Sequence, residues 1–272
     1  MAKNNTTFEI FKHAFLTLVL LMAFVGIYLM INVSLKDNEQ FARGPWLPHA
    51  PFHWENFAFA WHVIAPNIWN TIFVAFTTII LSMVVSLMAA YFFAKFKVPG
   101  SSLLFYIFLI LMMYPGVANM VPVFKLISSL GLYNSFGALI IPAIVNIGAI
   151  YILRNFIEDI PNELFDAAEV DGCNMLGQIW HIVIPMSMPI IGTLSIVNLI
   201  GIWNSFVGPL IFLRDSNKQL ISVALLHLEG EYTKEWGQLM AGYTIASIPL
   251  IIIFIFCMKL FIKGLSAGAV KG

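Results

Sequence analysis

The sequence predicts an all-α integral membrane protein with six transmembrane helices and one polar helix-turn-helix on a membrane face. Three observations carry that expectation. Of the 272 residues, 60% are hydrophobic and 10% charged, with a mean hydropathy of +0.88, whereas a soluble domain carries roughly a quarter charged residues and under half apolar. Six stretches, 17–35, 67–94, 99–124, 126–153, 182–213 and 236–258, contain no Asp, Glu, Lys or Arg, and each reaches or approaches the ~20 residues that cross a bilayer as a helix. Between the fourth and fifth runs, residues 154–185 carry Glu158, Asp159, Glu163, Asp166, Glu169 and Asp171 against a single basic side chain, Arg154.

Taken in order, the first apolar run extends from near His13 to Val33, longer than the apolar region of a cleavable signal, and reads as a retained span. A polar-aromatic loop, 36–66, follows with Trp46, His49, His53, Trp54, Trp61 and His62, rings of the kind that mark the headgroup zone. Span two, 67–93, holds Thr71, Thr77, Thr78, Ser82 and Ser86, which suit helix–helix hydrogen bonds better than a solute path. Lys95 and Lys97 with Pro99-Gly100 connect to span three, whose middle is broken by Tyr114-Pro115-Gly116 and Pro122. Span four runs from Phe136 to Leu153. Span five begins after Pro185 or Pro189 and reaches Val207, and span six occupies 238–260. The whole chain, 1–272, is expected to be one transmembrane domain. Six spans put both termini on one side, and the juxtamembrane pair Lys95 and Lys97 favours the cytoplasm for that side.

The acidic segment has a local logic. Pro161 suits the first turn of a helix whose face carries Leu164, Phe165 and Ala168, with Glu163, Asp166 and Glu169 on another face. Asp171-Gly172 is a turn signal, and Asn174 can cap a second helix with Met175, Ile179, Ile182 and Val183 on one side up to Pro185. A net negative knob is poorly matched to anionic lipid, which favours docking to another protein over an interfacial hairpin.

Asp166-Ala167-Ala168, then Gly172, then Ile182-Val183-Ile184-Pro185 resembles the coupling-loop motif of binding-protein-dependent ABC transporter permeases, in which Glu-Ala-Ala is followed by Gly and then Ile-x-Leu-Pro. The spacing fits without an insertion. Ile160-Pro161-Asn162-Glu163-Leu164 in front, Trp203-Asn204-Ser205-Phe206 behind and Gly131-Leu132-Tyr133-Asn134-Ser135 are similar to the sugar-importing, maltose-permease-like branch, as is the terminal Gly268-Ala269-Val270-Lys271-Gly272. Two positions depart from the motif: Asp166 stands where Glu is usual and Ile184 where Leu is usual.

The resemblance implies a type I importer permease fold in a bacterial plasma membrane. It implies as partners a second, homologous permease subunit, two ATP-binding subunits that hold ATP and Mg, an extracytoplasmic solute-binding protein and a carbohydrate substrate. It further implies that Asp166 faces a basic group of the ATP-binding subunit, Gly172 permits the turn, Ala167 and Ala168 allow close approach, and the tail adds a second contact. Apolar seating of Phe165, Met175 and Leu176 is expected to contribute more than the ion pair.

No Gly-x-x-x-x-Gly-Lys-Ser/Thr loop occurs, so neither ATP binding nor catalysis is expected of this chain. Cys173 and Cys257 stand in no metal-ligand spacing, the histidines receive no metal, and the cancelling 14 basic and 14 acidic residues provide no field for nucleic acid. Solute-facing groups are sought among uncharged polar and aromatic residues in broken spans: Tyr114, Asn119, Asn146, Asn198, Trp203, Asn204 and Ser205. Amides and hydroxyls exchange hydrogen bonds with sugar hydroxyls, and aromatic rings cover an apolar sugar face. Each also has a structural reading: Asn119 and Asn146 can satisfy kinked backbone, and Trp203 can sit at the outer interface. An ion- or proton-coupled carrier or channel with a protein-docking hairpin is the second reading, although the spans lack the ionisable groups such carriers commonly use.

Overall fold

A computed structural model of the chain describes residues 6–96, 98–229 and 234–269, and all regular structure among them is helical. Lys3, Lys97 and the tail contact expected of Val270-Lys271-Gly272 lie outside the described residues. The described chain divides into two compact units, 1–65 with 224–249, and 66–223 with 250–272.

In the first unit, α1 (Thr6–Ser34) is apolar on every side, as a helix with lipid for solvent must be. Beyond it, Asp37 and Gln40 form a capping box that starts α2 (Asn38–Arg43), with Asp37 Oδ1 accepting from the Gln40 amide at 2.7 Å. Lys36 is buried and donates from Nζ to the carbonyls of Gly44, at 2.8 Å, and Leu47, at 2.6 Å. Burial pushes its ammonium below the ordinary lysine range. Asn56 Nδ2 donates to the Ser34 and Lys36 carbonyls, at 3.0 Å each. Gly237 passes so close to this point that a Cβ would lie 2.0 Å from the Lys36 carbonyl oxygen. Phe41 stacks on Trp236, with ring centroids 5.0 Å apart.

The second unit contains most of α3 (Glu55–Lys95), a 41-residue helix that begins well inside the expected loop. Pro66 sits within it instead of ending it, because a proline in a long helix forfeits one hydrogen bond and kinks the axis without stopping the helix. The third apolar run becomes α4 (Ser101–Met112), a 3₁₀ turn (Gly116–Asn119) and α5 (Met120–Ser129). At 12 and 10 residues neither helix crosses a bilayer alone, so among the described residues five helices reach spanning length where six were expected. Pro115 followed by Gly116 is the cause, since neither supports helix continuation.

The fourth run is likewise divided, into α6 (Gly137–Ala143) and α7 (Ile147–Glu158), with Asn146 capping α7 by accepting from the Ala149 amide at 3.0 Å. The expected hairpin forms from α8 (Asn162–Val170) and α9 (Met175–Gln178), and a π-helical turn (Ile179–Val183) joins α9 to α10 (Ile184–Trp203). The helix therefore runs unbroken from Met175 to Trp203 rather than starting after Pro185 or Pro189. Pro185 lies inside this continuous helix, directly after the π-helical turn, and the fifth span ends at Trp203, before Val207.

Short helices α11 (Val207–Phe212) and α12 (Ile221–Ala224) follow, pinned by asparagines. Asn67 donates to the carbonyls of Ser216 and Gln219, and Asn134 Oδ1 accepts the amides of Arg214 and Asp215. The last helix, α13 (Trp236–Ala269), includes the sixth apolar run.

Removing the buried cation tests the first unit. Replacing Lys36 by Met leaves two carbonyls without their donor, a loss of about 1–3 kcal/mol for buried unsatisfied groups. The purified protein is expected to melt several degrees lower, and an unchanged melting temperature in Lys36→Met would remove the role given to this contact.

Candidate functional site

Two places in the second unit gather the residues singled out by sequence, and the hairpin is the first. Glu163 in the opening turn of α8 suits the helix dipole. At the other end, the Gly172 amide donates to the Glu169 carbonyl at 3.0 Å and the Cys173 amide to the Ala168 carbonyl at 2.8 Å. This pair of bonds is a Schellman closure, which needs a left-handed residue, and Gly172 supplies it at φ +77°. Asn174 Oδ1 then accepts from the Gly177 amide at 2.8 Å to start the second arm. The glycine of the motif thus has a backbone reason in this chain.

The hairpin is two-faced. Phe165, Ile179 and Val183 are buried with Leu87 and Tyr91 of α3 and with Leu153 and Ile157 of α7. Lys95, at the end of α3, donates to the Ile160 carbonyl at 3.2 Å and to Asn162 Oδ1 at 2.9 Å, with its ammonium 4.1 Å from the centre of the Phe165 ring. The Tyr91 hydroxyl donates to Gln178 Oε1. Phe165 therefore turns into its own chain, at 6% exposure, and not outward toward a partner as expected. The outward apolar groups are Leu164, Val170, Met175, Leu176 and Trp180.

Trp180 escaped the sequence reading, although its spacing of four from Leu176 places both on one helical face. Asp166 is exposed beside a groove of about 430 Å³ between the hairpin and the end of α3. Ala167 and Pro185 are exposed and Ala168 is half-buried.

The second place is a cavity of about 410 Å³ among the spans. Asn146 Nδ2 donates to Asn198 Oδ1 at 2.8 Å, joining the start of α7 to α10 across 52 positions. Thr78 and Ser82 of α3 line the same space, with Ile79, Met112 and Ile202 as apolar wall. Ser205 borders an adjoining cavity of about 270 Å³ that also touches Thr78.

The remaining candidates are elsewhere. Tyr114 and Asn119 are exposed in the break between α4 and α5, Trp203 is buried, and Asn204 turns its amide back to the Ile200 carbonyl at 2.8 Å. Of the seven path candidates, the structure brings only Asn146 and Asn198 into contact, with Ser205 nearby. Thr78 and Ser82 were read as helix contacts, and their four-residue spacing was the signal that they share a face.

Known proteins share this fold. Residues 82–267 match the family described as binding-protein-dependent transport system inner membrane component. The chain is 33% identical over 261 residues, 95% of its length and 87% of the relative's, to the probable ABC transporter permease protein YurM of Bacillus subtilis (strain 168). It is 30% identical over 281 residues, the full length of both, to the arabinooligosaccharides transport system permease protein AraQ of the same organism. Its fold superposes with a TM-score of 0.82, at 21% identity over 96% of this chain and 99% of the other, on a bacterial ABC transporter involved in the import of the acidic polysaccharide alginate. With the family matched across most of its length and the fold matched almost end to end, the chain belongs to the inner membrane components of binding-protein-dependent transport systems, the permeases of ABC importers.

Proposed function

We propose that this chain forms one half of the translocation path of an ATP-driven carbohydrate importer in a bacterial plasma membrane, and that the 154–185 hairpin docks into a separate ATP-binding subunit. The observation that carries the reading is the hairpin's division of labour: one face locked into the chain's own core, the other offering Met175, Leu176 and Trp180 to a partner. Sugar import follows from the relatives, AraQ being named for arabinooligosaccharide transport. The remaining partners are a second permease of similar fold, a second ATP-binding subunit and an extracytoplasmic solute-binding protein. ATP and Mg belong to the ATP-binding subunits. Both termini lie with the hairpin in the cytoplasm.

Transmission follows from connectivity. Movement of the hairpin acts on α10 through the unbroken helix from Met175 and on α3 through Lys95, Tyr91 and Phe165. Those two helices carry Asn198 and the pair Thr78 and Ser82, so both supports of the hairpin end at the cavity wall. Closure of the ATP-binding subunits on the hairpin is thereby converted into a change of cavity shape.

Three experiments test this. Leu176→Asp removes an apolar anchor and is expected to weaken retention of the ATP-binding subunit by about thirtyfold, or ~2 kcal/mol. Cysteines at Leu176 and Trp180 are expected to crosslink to that subunit in native membranes. Full retention by Leu176→Asp, with crosslinks to lipid-phase reagents alone, would refute docking. Lys95→Met is expected to speed amide hydrogen exchange across 160–178 by about tenfold, from loss of charge-assisted hydrogen bonds, and to lower sugar transported per ATP hydrolysed. Lys95→Arg should retain part of both, and parental exchange in Lys95→Met would discard the tether.

A further inference from the structure

We infer that the loop 44–54, which follows α2, folds back along α1 and inserts into the outer leaflet of the bilayer, so that its partner is lipid. The inference rests on the reading of α1 as a span whose C-terminal end faces outward, and it adds a lipid-embedded surface outside the spans.

The loop is laid along α1 by three side chains. Tyr28, Asn32 and Lys36 recur at intervals of four and share one face of α1 and its continuation. Lys36 Nζ donates to the Gly44 carbonyl at 2.8 Å, Asn32 Nδ2 to that of Pro45 at 2.6 Å and the Tyr28 hydroxyl to that of Trp46 at 2.7 Å. Three successive loop residues therefore meet donors from three successive helical turns, taken against the direction of α1. Lys36 also holds the Leu47 carbonyl, at 2.6 Å, so the chain turns back at Trp46. Tyr28 stands six positions, about 9 Å, before Ser34, the last residue of α1.

Depth follows from the length of the span. Residues 13–35 contain no Asp, Glu, Lys or Arg. As a helix they would measure about 35 Å, against a hydrocarbon core of about 30 Å. With so little length to spare, the hydrocarbon reaches to within about a turn of Ser34, which puts Tyr28 below the outer boundary. The loop tip that Tyr28 holds is drawn to the same margin.

A segment at this depth has to turn its backbone polarity inward and its apolar side chains outward. The loop does both. Beyond the four carbonyls already named, Gln40 Nε2 donates to that of Pro51 at 3.0 Å, and Pro45, Pro48 and Pro51 carry no N–H. Outward stand Trp46, at 61% exposure, and Leu47, at 69%, with Phe52 and Trp54. Residues 44–54 include no Asp, Glu, Lys or Arg.

Lipid fits this surface better than a protein does. A soluble extracytoplasmic partner approaches from water and meets the charged pair Glu39 and Arg43 on α2 before a tip set back along α1. Ile27 and Ile31, exposed on the same stretch of α1, extend the apolar surface, and indole rings favour the boundary between headgroups and hydrocarbon. An uncharged loop draws nothing from anionic headgroups, so insertion is expected to be indifferent to lipid charge.

The test places a nitroxide on Leu47→Cys, and separately on Trp46→Cys, in a Cys173→Ser, Cys257→Ser background of the complete complex in phosphatidylcholine vesicles. Glu39→Cys is the aqueous control. Collision with oxygen, which concentrates in lipid, is compared with collision with a water-soluble nickel chelate. At positions 46 and 47 the ratio of oxygen to nickel collisions is expected to exceed that at position 39 about fivefold, and to keep that margin when phosphatidylglycerol is added. Nickel-dominated collision at 46 and 47 overturns the inference in favour of water, and shielding from both probes overturns it in favour of a protein partner. Sidedness is read apart from depth: a membrane-impermeant maleimide added to intact cells is expected to label Glu39→Cys. Labelling only after the cells are opened overturns the outward orientation, whatever depth is found. Sugar uptake enters neither measurement, so failure of the import reading is seen separately.

Discussion

A bilayer supplies no hydrogen-bond partner for a peptide group, and the architecture of this chain follows from that constraint. Helices run on wherever nothing forces them to stop, to 41 residues in α3 and 34 in α13. At several places where they stop, a named side chain or a glycine closes the end: Asn146 at the start of α7, Gly172 after α8, Asn174 before α9 and Asn204 after α10. The asparagines that hold the segment after α11 serve the same purpose, returning amides and carbonyls to the protein instead of exposing them.

This economy makes the exceptions informative. Thr78 and Ser82 are buried polar groups that the chain leaves unmatched, and they occur beside the amide pair that bridges α7 and α10. The hairpin shows the complementary exception, apolar side chains left outside. Its inner face is anchored by aromatic packing and by a lysine held between a carbonyl, an amide oxygen and a ring, while Leu176 and Trp180 stand unpacked. Unpacked aromatic and aliphatic groups point to a protein partner.

Much of this was legible in the sequence. The uncharged runs locate the apolar helices, and Gly172 and Asn174 announce the hairpin turn because their chemistry is local. The failures concern prolines and facing. Pro66, Pro185 and Pro189 look like boundaries, yet a long helix continues through each, and Pro185 follows directly on the π-helical segment. Pro115 breaks its span because Gly116 follows and removes the propensity to resume. Phe165 looks like a docking group until Lys95 and Tyr91, some seventy positions earlier, are seen against it. Side-chain direction at such a site depends on a distant element, which local spacing does not contain.

The unbroken helix from Met175 to Trp203 has a geometric consequence. Its 29 residues measure about 43 Å at 1.5 Å per residue, so tilting it ~5° about its centre swings the two ends some 2 Å in opposite directions. The middle residue is Pro189, which lacks the amide that would tie it to the preceding turn, and the Thr193 hydroxyl donates to the Pro189 carbonyl in the turn that follows. The helix is a seesaw whose fulcrum lies at a proline. How faithfully a push at Leu176 reappears as a counter-stroke at Asn198 is therefore decided by the stiffness of a single turn.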